Sequence, residues 1–189
     1  MNADPMCAKA NAGQPVQDEA VVAAADGSLA NAFVELVGTF PKTPIPADPV
    51  TVDQRACVYW PRVVGLRVGQ TLRIRNSDDG LHNVHGASTA RDSFNIGQPV
   101  AGLVADLHPR DPGMLQLKCD VHTWMVAFVG VVDHPYFAVT GANGSFALRD
   151  VPEGTYTLKT WHERLGTKTA QVRVEGGKDA VADVEFEAH

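Results

Sequence analysis

Met114-Leu-Gln-Leu-Lys118, Cys119-Asp-Val-His-Thr-Trp-Met125 and Phe128-Val-Gly-Val-Val132 follow one another almost without a break, and they decide the fold. The outer two runs are short, the first alternating apolar and polar residues and the second an apolar run with three valines, which reads as strand; the middle run is a loop that carries a thiol, an imidazole and a thioether. The strand signal recurs along the chain at Ala32–Val37, Thr71–Arg75, Tyr136–Thr140, Thr155–Thr160, Ala170–Val174 and Val181–Phe186. Turn chemistry separates these runs. Val68-Gly69-Gln70 precedes the Thr71 strand, Asn143-Gly144 predicts a hairpin into Ser145–Leu148, and Pro152-Glu-Gly154 marks a further turn. Helix signals are nearly absent, so the expected class is all-β, a sandwich or barrel.

The length of 189 residues allows one large domain or two small ones, and 44% hydrophobic residues suffice for a core. A formal charge of -6 removes the usual electrostatic basis for binding nucleic acid. Ala20–Ala25 is far too short for a transmembrane helix and lacks the cationic flank of a signal peptide. The protein is therefore expected to be cytosolic, or exported with its leader removed. Four prolines between Phe40 and Pro49 predict a linker or long loop, and the loosely patterned stretch from Gly86 to Asp111 a long connection.

Two clusters carry chemistry, His82-Asn83-Val84-His85 and Cys119-x-x-His122-x-x-Met125. Two imidazoles, a thiolate and a thioether form a soft mixed set of nitrogen and sulfur donors. His2Cys with a weak axial Met suits copper in electron transfer, whereas thioether is not a usual zinc ligand and calcium or magnesium require oxygen. Strand alternation turns His82 and His85 to opposite faces without saying which meets the metal. With Cys119 in the metal site, Cys7 and Cys57 are free to pair, which would pin the N-terminal arm and imply an oxidising compartment; two separate thiols remain the alternative, because spacing does not settle connectivity. A Cys119–His122 nucleophile pair is the enzymatic rival, but the spacing is poor for a general base and no oxyanion motif accompanies it.

The two clusters resemble those of the type 1 blue copper proteins, the cupredoxins, and look most like the amicyanin branch. The resemblance covers about residues 50 to 133, including Val68-Gly69-Gln70-Thr71. It implies a Greek-key β-sandwich with one type 1 copper, cycling between Cu(I) and Cu(II), held by His82, Cys119, His122 and Met125. It also implies that Asn83 ties the two ligand loops together and that His85 is a non-ligand. The implied role is that of a periplasmic or otherwise exported electron carrier, not an enzyme, serving a redox protein such as a c-type cytochrome or a dehydrogenase. Many family members have Pro just before the second His. Here Val121 restores a backbone N–H near the Cys119 sulfur, which weakens thiolate donation and favours Cu(I). Trp124 and Val126 flank Met125 on the ligand loop and are read first as packing; the alternative is an apolar docking patch around a solvent-edge His122. A copper carrier or storage protein, and an interaction module with structural copper, are the competing functions.

From Tyr136 to Leu158 the pattern changes, and Val151-Pro-Glu-Gly-Thr-Tyr156 resembles the turn of carboxypeptidase regulatory-like modules, small transthyretin-type sandwiches. The opening strands of such a module match Ala24–Leu36. The expected organisation is a copper domain over 50–133 inserted into a second β-sandwich built from 20–40 and 134–187. His162-Glu163 is read as an exposed strand end in preference to a second metal site.

Overall fold

The computed structural model describes residues 4–12, 14, 16, 19–87 and 92–187. The chain divides into two compact units, one comprising Met1–Glu19 and Pro44–Asp133, the other Ala20–Thr43 and His134–His189.

In the first unit, β2 (Val50–Arg55), β3 (Val58–Trp60), β5 (Leu72–Asn76) and β8 (Val104–Leu107) form a sheet of order β3-β2-β5-β8. The second sheet has the order β4-β10-β9-β6-β7, built from β4 (Val63–Arg67), β6 (His82–Ala87), β7 (Phe94–Gln98), β9 (Gly113–Lys118) and β10 (Val126–Val132). β2 runs parallel to β5 and β4 parallel to β10, so the chain crosses between sheets, as in a Greek key. Alternate residues of both sheets meet in one core: Val52, Leu72 and Ile74 from one, Leu66, Val84, Leu115, Leu117 and Val129 from the other. β10 lies between β4 and β9 and is buried almost throughout, which explains its unbroken apolar run.

The stretch from Gly86 to Asp111, expected as a connection, contains β7 and β8 instead. Both are edge strands, so half of their residues face water and their apolar signal is weak. Phe94 and Ile96 still pack on the core. A Cβ at Gly86 would overlap the Phe94 ring, so this glycine permits the approach of β7 to β6.

One short helix, α1 (Pro5–Ala10), belongs to the first unit. Asp4 caps it by accepting from the Met6 and Cys7 amides, and Pro5 stands in its first turn. Cys7 is bonded to Cys57.

In the second unit, β1 (Phe33–Val37) lies between β11 (Phe137–Val139) and β12 (Gly154–His162), and β12 pairs with β13 (Gly166–Val174). Val34, Leu36, Tyr136 and Leu158 form its core. The Asn143-Gly144 turn forms, with Gly144 at φ +70°, but Ser145–Leu148 and Val181–Phe186, both expected as strands, enter no ladder. Phe146, Leu148, Ala182 and Val184 pack on that core. Their period of two therefore reports alternate residues resting on an apolar face, not pairing between backbones.

Candidate metal centre

The loop from β9 to β10 is closed by two backbone bonds, Cys119 N–H to the Met125 carbonyl at 3.2 Å and Met125 N–H to the His122 carbonyl at 2.9 Å. Tight closure turns Cys119, His122 and Met125 inward, where their exposures are 1%, 2% and 1%. β6 pairs antiparallel with β9, His85 opposite Lys118, so its first residue, His82, projects beyond the end of β9 toward this loop. The donor atoms of His82, Cys119 and His122 all lie within 4.8 Å of one another. His82 Nδ1 is 3.0 Å from His122 Nδ1, which is 3.8 Å from Cys119 Sγ.

Both rings are held from behind by a carboxylate. His82 Nε2 meets Asp78 Oδ2 at 2.9 Å, and His122 Nε2 meets Asp4 Oδ2 at 3.1 Å. An ionised carboxylate only accepts, so both Nε2 atoms carry protons and both Nδ1 atoms turn lone pairs toward one another. Two lone pairs and a thiolate at these separations repel unless a positive charge sits among them. In the protein alone a proton serves: burial acts against a charged His82, but Asp78 and Cys119 outweigh it and raise its pKa to about 9. Burial likewise acts against the Cys119 thiolate. Contacts from His82 and the backbone N–H groups of Asn83, His122 and Val121 prevail and lower its pKa to about 6. A metal ion bound by nitrogen and sulfur at about 2.0–2.3 Å separates such donors by roughly 3–4 Å. The donor set fits copper.

Asn83 joins the two loops: its Oδ1 accepts the Asp120 amide at 2.7 Å, and its Nδ2 donates to the Asp120 carboxylate at 2.8 Å. His85 is on the other face of β6, 3.2 Å from Asp120, and turns away from the cluster. Tyr59 donates its hydroxyl to the Asn83 carbonyl at 2.7 Å beneath the site. Replacing Tyr59 by Phe leaves that buried carbonyl without its donor and is expected to cost about 1–2 kcal/mol, read from urea unfolding.

Trp124 follows the packing reading, and the expectation for His162 needs correction. His122 is not at a solvent edge: α1, the disulfide and Trp124 cover it, and the Trp124 indole donates to the Cys57 carbonyl at 3.0 Å. His162 is not exposed either. It is 1% exposed, and its Nδ1 accepts from the amides of Arg164 and Leu165, so it closes the β12–β13 turn.

Asp78 and Asp4 were not legible as site residues. Asp78 stands four positions before His82, a spacing that was available as a signal; it also accepts from the Ala56 and Cys57 amides at 2.7 and 2.8 Å. Asp4 is 118 positions from His122, and no local pattern connects them. Buried Asn76, Gln54 and Gln98 support the same loop, with Asn76 Nδ2 donating to the Gly80 and Gln98 carbonyls at 2.9 Å each.

Over about half of its length the chain is similar in fold to solved cupredoxin structures. A copper-containing nitrite reductase from Thermus scotoductus matches with a TM-score of 0.43 and 22% identity over 53% of this chain; the chain spans about a quarter of that protein, 26%. A purple cupredoxin from Nitrosopumilus maritimus matches with a TM-score of 0.38 and 22% identity, covering 43% of this chain and 97% of its own. A Cu(I) amicyanin variant matches with a TM-score of 0.40 and 19% identity over 52% of this chain and 97% of its own. Neither a protein-family model nor a curated protein matches the sequence.

Proposed function

We propose that the protein binds one copper ion through His82, Cys119, His122 and Met125 and carries single electrons between redox proteins in an oxidising compartment. The observation that carries this reading is the convergence of two Nδ1 atoms and one thiolate sulfur, with both Nε2 protons already held by carboxylates. Copper, when bound to such a set, supplies a one-electron couple between Cu(I) and Cu(II). The chain's own part is to hold the donors still. Asp78 and Asp4 fix the ring orientations, Asn83 locks the loops together, and the buried sandwich end excludes water, so gain or loss of an electron requires little movement. Met125, buried in the same core, would supply a weak thioether sulfur to the ion.

Burial of Cys119 at 1% favours a shuttle over a copper carrier, whose sulfur has to reach an acceptor protein. The Cys7–Cys57 bond supports export. Among the described residues no helix is long and apolar enough to cross a membrane. The second unit, regulatory-module-like, serves as scaffold or contact surface. Cu(II) titration tests the reading: an intense thiolate charge-transfer band with reversible one-electron voltammetry is expected. Copper uptake without reversible redox would favour the carrier or a structural ion.

The Val121 N–H points to the Cys119 sulfur, and the side chain is 48% exposed, so a change there removes little packing. Removing one donor from the thiolate strengthens its donation to Cu(II). Val121→Pro is therefore expected to lower the reduction potential, by roughly 40 mV for each kcal/mol of differential stabilisation lost. An unchanged or higher potential, measured by voltammetry, would remove the role given to this N–H.

A further inference from the structure

The two carboxylates behind the imidazoles reach them by different routes. Asp78 is on the turn leading into β6 and is local to His82, whereas Asp4 is brought to His122 by α1. A helix of six residues has no stability of its own, so its place depends on what ties it down. The ties are the Cys7–Cys57 bond and the Asn11 side chain, which donates to the Cys7 and Ala56 carbonyls at 2.9 Å each. The sulfur atoms of Cys7 and Cys57 both lie within 4.8 Å of a His122 ring nitrogen. Trp124 completes the cover, its ring centroid 5.1 Å from that of His122.

We propose that α1, pinned by Cys7–Cys57, is a built-in cap on the metal centre and that Asp4 is its positioning residue. Asp4 accepts the hydrogen bond of His122 Nε2–H, which leaves the Nδ1 lone pair facing Cys119 and His82, and the cap closes this ring to solvent. The inference rests on the copper reading for what Nδ1 holds, but the placement of the proton does not depend on it. While the cap is in place, an ion leaves the site slowly, and an electron leaving by the outer edge of His122 has to pass α1. Release of the cap requires two electrons and two protons from a dithiol, which cleave the S–S bond to two thiols as the dithiol becomes a disulfide.

Three variants of the full chain separate the parts. Asp4→Ser keeps a good helix cap but is too short to reach His122; Asp4→Asn keeps the cap through its one oxygen and turns its NH2 group, a donor, toward His122 Nε2; Cys7→Ser with Cys57→Ser frees the helix. In the metal-free protein at neutral pH, the ¹⁵N shifts of the His122 ring are expected to show the Nε2–H tautomer in wild type, a shift toward the Nδ1–H tautomer in Asp4→Asn, and a tautomer mixture in the other two. In the Cu(I)-loaded protein, transfer of copper to excess bicinchoninate is expected to quicken about tenfold or more in Asp4→Ser and in the double variant. Unchanged tautomers together with transfer rates within about twofold of wild type would overturn the cap and leave the copper reading intact. If the chain takes up no copper while the tautomers shift as described, the cap stands and the copper reading falls. Should the double variant fail to fold, Asp4→Ser carries the test alone.

Discussion

Cys119→Ser is expected to abolish the intense visible absorption of the Cu(II)-loaded protein and its reversible one-electron wave while leaving the β-sandwich folded. Absorption of that kind arises from charge transfer out of a thiolate, and a serine hydroxyl near its ordinary pKa supplies no equivalent donor. The structure makes this loss specific to the chemistry. Cys119 is a small side chain of a large core, and the N–H groups that point to its sulfur can point to a hydroxyl oxygen instead. The expected cost to metal-free stability is about 1–2 kcal/mol, whereas the band and the wave vanish. Absorption, voltammetry and urea unfolding on one preparation decide it. A surviving intense band would mean that the thiolate is not a ligand, and the assignment of all four donors would fall with it.

Asp78→Ala is expected to lower stability by about 3 kcal/mol or more and to weaken metal binding by roughly 10- to 100-fold. A single carboxylate accepts from three donors, the part-buried Ala56 amide and the buried Cys57 amide and His82 Nε2, and removing it strands all three at once. Ala56 and Cys57 both adopt left-handed backbone, at φ 50° and 58°, and these bonds hold that unfavourable turn in place. Asp78→Asn should recover part of the loss, since an amide oxygen accepts but its NH2 group opposes a donor.

The pH dependence has a definite sign. Burial pushes the Asp78 carboxyl up, but His82 and the two amides outweigh it and hold its pKa below 3.8. Its contribution is complete above the unfolded value and disappears as pH falls through the lower folded value. The stability gap between wild type and Asp78→Ala should therefore hold from about pH 6 down to about pH 4 and close in stronger acid; it also narrows as pH rises through about 9, where His82 loses the proton that Asp78 stabilises. Urea midpoints across that range measure it. A gap that closes near neutrality would implicate a different group.

Legibility differed with how local the signal was. The loop from Cys119 to Met125 was readable because its donors lie three residues apart between two evident strands, and β10 announced itself by seven consecutive small or apolar residues. β7 and β8 were hidden because an edge strand needs only half its residues to be apolar. Ser145–Leu148 and Val181–Phe186 misled for the opposite reason: they alternate like strands, but only their side chains find partners among the described elements.

The amino-acid sequence by itself determined the all-β class and the chemistry of the donors, because strand period, turn residues and ligand type are properties of a few neighbouring positions. Only the tertiary structure decided how those donors are held. Asp4 is 118 positions from the ring it orients, Cys7 is 50 positions from the cysteine it bonds, and His122 is covered by a helix from the far end of the chain. Contacts of that kind depend on where the chain returns after two sheets have closed on a common core, and no local pattern of residues encodes the return.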